Sequence, residues 1–76
     1  MIIEKMQEFE NSEFNKNLIN TVSKKILKYA KEKNFNISYE YVYNNVLTLM
    51  AVHEITPKET YEQICEVCID YNMEVI

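Results

Sequence analysis

At 76 residues the chain has the length of one small domain, and 47% apolar residues give it material for a core rather than a disordered tail. It contains no glycine, which argues against Gly-rich phosphate loops and a nucleophile elbow, and its helix-forming remainder points to an all-α fold. A net charge of −4, with eight lysines and no arginine, argues against a sequence-specific DNA reader, because arginine is the residue of bidentate guanine and phosphate recognition.

The periodicity predicts a small three-helix bundle preceded by a short N-terminal amphipathic helix or arm, as one helical domain over residues 1–76. In the arm, 1–11, Ile2, Met6 and Phe9 fall at i, i+4 and i+7. Glu4, Glu8 and Glu10 make this stretch unlike a secretion signal. Asn11-Ser12 offers an N-cap for a first long helix over 13–33. Phe14, Leu18, Val22, Ile26 and Tyr29 form its expected buried stripe, widened by Ile19 and Ala30. Asn34-Phe35-Asn36 should end it, asparagine taking the left-handed backbone that glycine would otherwise supply. Ser38 reads as the next N-cap, with Ile37 stapled onto Val42. The second helix, 38–54, turns Tyr39, Val42, Val46, Leu49, Met50 and His53 inward. Thr56-Pro57, an N-cap followed by proline at the first helical position, opens a third helix over 57–72. Its apolar residues, Tyr61, Ile64, Cys65, Val67, Cys68, Ile69 and Tyr71, cover an arc of roughly 200° at about 100° per residue. So wide an arc calls for a second covering layer, which a homodimer would provide.

The polar faces carry the candidate sites. Glu59, Glu62, Glu66 and Asp70 make an acidic ridge on the third helix, its i+3 and i+4 like-charge pairs unrelieved by lysine. The first helix is the counterpart, with Lys24, Lys28 and Lys31 on its polar face. Residues 11–35 carry six lysines against two glutamates, a net +4, whereas residues 57–76 carry one lysine against five acids, a net −4. On the second helix Tyr41, Asn45, Thr48 and Val52, with Asn44 alongside, make an almost uncharged outer face suited to an interface. Each face also has a plainer reading as a solvated exterior.

Chemistry finds little purchase. Cys65-Glu66-Val67-Cys68 is a single C-x-x-C, and with one histidine in the chain it falls short of a four-ligand zinc set. Cys65 lies two turns into its helix, away from the N-terminus that would stabilise a redox thiolate, so the pair reads as small buried hydrophobes. His53 reads as a packed or capping residue near a helix C-terminus. Catalytic residues, metal and cofactor are therefore expected to be none, and the chain is expected not to be an enzyme. A helix-turn-helix reading of the second and third helices fails on sign, since four acids would face the phosphates.

The resulting expectation is a small acidic protein-binding module in the cytoplasm, acting on a partner with a basic, nucleic-acid-binding surface. No apolar run approaches the ~18 residues of a membrane span, so no membrane partner is expected. The surplus of Asn, Ile, Lys, Glu and Tyr fits an AT-rich genome such as a low-GC bacterium or mobile element. In size and acidity the chain is similar to inhibitors encoded by phages and mobile elements, anti-CRISPR proteins among them, without a shared motif. The alternatives are a nucleic-acid-associated regulator working through Lys24, Lys28 and Lys31, and a self-associating structural subunit.

Overall fold

The computed structural model describes residues 1–75. The chain is all-α: α1 (Ile2–Asn11), α2 (Glu13–Glu32), α3 (Tyr39–Ala51), and a last helix that starts as α4 (Pro57–Gln63), widens into a π-helix over Ile64–Asp70 and closes as α5 (Tyr71–Val75). No strand occurs among the described residues. No helix among them is long and apolar enough to cross a membrane.

Side-chain caps set the starts of three helices. Ser12, Ser38 and Thr56 accept from the backbone N–H of Asn15, Tyr41 and Glu59 at 3.3, 3.2 and 3.2 Å. Each such cap satisfies one orphan donor of the first turn, worth about 1 kcal/mol. The stop of α2 is a Schellman motif built without glycine. Asn34 takes φ 58°, its N–H donates to the Lys31 carbonyl at 3.0 Å, and the Phe35 N–H reaches back to Ala30 at 2.8 Å. The end of α3 uses Glu54 at φ 54°, with the Ile55 N–H donating to the Leu49 carbonyl at 3.1 Å. A non-glycine residue in that region costs on the order of 1 kcal/mol, which the packing of half-buried Ile55 must offset.

The core joins Ile19, Val22, Ile26 and Ala30 of α2, Val42, Val46, Leu47, Met50 and Ala51 of α3, and Ile64, Cys65 and Ile69 of the π-helix. Residues 35–38 are extended, with Phe35 and Ile37 packed against this core. Consequently α3 begins beside the middle of α2, where the Tyr39 hydroxyl donates to Asn20, rather than at its C-terminal end. Helix α1 contributes Met6 and Phe9 as half-buried packing and no fully buried residue.

Several sequence expectations change. Phe14 is 74% exposed, because the buried stripe of α2 is Ile19, Val22, Ser23, Ile26 and Ala30. Tyr39 is exposed at the first turn of α3, its ring 5.8 Å from Tyr43 and its hydroxyl bonded sideways to α2. His53 is exposed, since α3 has already ended at Ala51. Ile2 is exposed, so α1 seats itself through Met6 and Phe9 alone of its expected stripe.

The largest change is in the last helix. In an α-helix Val67 and Tyr71 would lie within about 60° of Ile64, while Ile69 would point about 140° away. The π-helix bonds i to i+5, as in the Tyr71 N–H to the Glu66 carbonyl, so each residue turns through less. Ile69 comes back under the helix and is fully buried, whereas Val67 and Tyr71 are 60% and 61% exposed. The expected apolar arc is thereby split between a core side and an outer side. The helix also continues past 72, to Val75.

Candidate partner-binding surfaces

Glu59, Glu62 and Glu66 are exposed along the last helix. Among the described residues the one ion pair joins Lys5 to Glu54 at 3.8 Å, so these three carboxylates have no cationic partner at salt-bridge distance. Asp70 differs from them. The π turn carries it toward α2, where it is half-buried and its Oδ1 accepts from the Tyr29 hydroxyl at 2.6 Å. That hydrogen bond, reinforced by burial, pushes the Tyr29 phenol up to about 12. The ridge read from the sequence therefore consists of three outward acids and a fourth that ties the π-helix to α2.

On α3, Tyr41 and Asn44 are exposed, while Asn45, Thr48 and Val52 are half-buried. Two of these polar groups are already used locally. The Asn45 amide donates to the Tyr41 carbonyl at 2.7 Å and the Thr48 hydroxyl to the Asn44 carbonyl at 2.8 Å. Asn45 and Thr48 form one wall of an open groove of about 320 Å3 between α3 and the last helix. Leu49, Ile64, Val67 and Cys68 supply its apolar surface, and His53 and Gln63 stand with them around it. Asn45 and Thr48 come from the expected outer face of α3, whereas Leu49, Val67 and His53 are expected in the interior and Gln63 belongs to neither expected set. The missing signal was the π turn, which frees Val67 from the core.

The groove brings the Cys68 thiol and the His53 imidazole to one place. Burial pushes the Cys68 thiol up, opposite to the depressed value a nucleophilic cysteine needs. Cys65 is buried in the core and burial likewise raises its thiol, so the two cysteines contribute packing. No group of three His, Cys, Asp or Glu side chains among the described residues is placed to hold a metal ion.

Lys24, Lys28 and Lys31 are all exposed on α2. Lys33, at the end of that helix, lies 5.5 Å from the Tyr29 ring centroid and so borders the tie to Asp70. Comparison with protein-family models, curated proteins and solved structures finds no match to the chain.

Proposed function

We propose that this chain is a small, non-enzymatic, protein-binding module whose acidic face occupies a basic surface of a partner protein, one that otherwise meets a nucleic-acid backbone. The observation that carries the reading is the row of Glu59, Glu62 and Glu66, outward-facing and without a cationic partner. Like charges at i+3 and i+4 cost an isolated helix a few tenths of a kcal/mol per pair, a cost a basic partner would reverse. Complementary fields also steer encounter and fix register. An inhibitor carried by a phage or mobile element and acting in the cytoplasm is the biological setting that best suits a small acidic blocker of this kind.

The test is affinity capture from a nuclease-treated bacterial lysate, read by mass spectrometry, with wild type beside Glu62→Lys/Glu66→Lys. The expected result is one stoichiometric basic protein on the wild type, lost by at least about tenfold on the double variant while its circular dichroism stays helical. Equal retention by both proteins would remove the acidic face from the function. Retention of nucleic acid alone, when nuclease is omitted, would transfer the function to Lys24, Lys28 and Lys31.

A further inference from the structure

The groove and the acidic row are not independent features. Glu62 precedes Gln63 and Glu66 precedes Val67, and both of those neighbours line the groove. Glu59 lies one α-turn before Gln63 on the same side of α4. The last helix therefore presents apolar surface toward α3 and, along its outer edge, three unpaired carboxylates. The facing wall, Asn45 and Thr48, carries no charge, and its amide and hydroxyl donors are turned onto its own helix. A docking surface with an apolar floor and charge on one flank specifies its ligand on both counts.

We infer that the groove between α3 and the last helix receives an amphipathic helix of the partner, its apolar stripe seated on Leu49, Val67 and Cys68 above buried Ile64 and its lysines or arginines along one flank against Glu59, Glu62 and Glu66. The inference rests on the acidic-face reading above and names the form of the basic partner. Helix-in-groove recognition reads anchors at i, i+3, i+4 and i+7, and an open trough between two helices suits that shape. A second copy of this chain is a poor occupant. Its own basic face, Lys24, Lys28 and Lys31 with Asn17 and Thr21, carries one exposed apolar side chain, Phe14 at its N-terminal end, and so offers a single anchor rather than an i, i+3, i+4, i+7 stripe. Its exposed apolar end, Ile2 and Ile3, leads into a helix dominated by Glu4, Glu8 and Glu10. A small molecule fits less well than a helix, because the volume lies at the low end for ligand sites and the trough is open.

The probe is a synthetic helical peptide with leucines at i, i+3, i+4 and i+7 and lysines along one flank, with a control peptide carrying glutamates instead. Binding to the full chain is followed by fluorescence anisotropy and by amide chemical shifts. The lysine peptide should bind and the glutamate peptide should not, with shifts centred on Leu49, Ile64 and Val67. Val67→Gln removes an exposed anchor, and Thr48→Arg places a cation and bulk on the far wall without touching the π-helix; each should weaken binding about tenfold. Glu62→Lys/Glu66→Lys should weaken it further. If charge reversal weakens binding while both groove variants bind as wild type does, the groove is overturned and the acidic face survives. If the groove variants weaken binding and charge reversal does not, the acidic-face reading fails and this inference falls with it. Absence of saturable binding by wild type overturns the groove alone, since the lysate capture decides the acidic face separately. A wild-type dimer in sedimentation velocity that Val67→Gln dissociates would give the groove to a second copy and overturn the proposal.

Discussion

Two tyrosine hydroxyls fasten carboxylates across helix boundaries. Tyr29 of α2 donates to Asp70 of the π-helix, and Tyr43 of α3 donates to Glu10 of α1, each at 2.6 Å. Both phenols rise to about 12 from 10.0, Tyr29 chiefly through its hydrogen bond and Tyr43 chiefly through burial. The folded state thus keeps these protons to higher pH than the unfolded chain does. Their stabilisation is whole below pH 10.0 and is lost as pH rises toward about 12. Ultraviolet phenolate absorbance should show Tyr29 and Tyr43 titrating near pH 12, coincident with loss of helix, with Tyr61 also held above its ordinary value by burial. Tyr29→Phe keeps the ring that meets Tyr61 edge-on at 6.5 Å but removes one of those two late titrations. It should also lower the urea midpoint at neutral pH, because Asp70 is left half-buried without its donor. A variant with both late titrations intact would dissolve this assignment.

The elements divide into those the sequence announces and one it does not. Ser12, Ser38 and Thr56 are short-range cap signals, and so is Asn34 as a glycine substitute, so the helix boundaries near them were legible. The stripes of α2 and α3 were legible in part. Phe14 is as apolar as any core residue and sits at helical spacing, yet it is exposed, because which edge of a stripe is covered depends on the neighbouring helices. The π-helix left no trace in a periodicity count that assumes about 100° per residue. Beside Ile64, Ile69 is fully buried and Asp70 reaches Tyr29 through the wider turn, which is a tertiary demand. The candidate groove inherits that blindness through Val67. A pair of substitutions separates the two registers. Ile69→Ala, at a fully buried site, should cost about 3 kcal/mol in urea unfolding. Val67→Ala, at a 60% exposed one, should stay within about 0.5 kcal/mol. An uninterrupted α-helix would invert that order.

Across the whole molecule, stability is distributed unevenly. A chain of this size buries only about 60% of its unfolded surface. Here the buried residues fall on α2, α3 and the last helix, with none on α1. Helix α1 is held by half-buried Met6 and Phe9, by the Tyr43–Glu10 hydrogen bond, and by the Lys5–Glu54 pair, whose side chains are 53% and 78% exposed. An ion pair that open to solvent contributes between nothing and about 1 kcal/mol. Local opening follows the density of buried apolar contact, so α1 should detach before the rest unfolds. Native-state hydrogen exchange should show the α1 amides exchanging first and those of Ile19–Ala30 last, at the rate of global unfolding. Tyr43→Phe removes the most directional of the contacts on α1, so it should speed exchange in α1 and leave the centre of α2 unchanged. Equal acceleration in both would mean that α1 belongs to the same cooperative unit as the core. The groove and the acidic row sit on the other side of this hierarchy, on helices anchored by Ile64 and Ile69, and their geometry should survive the release of α1.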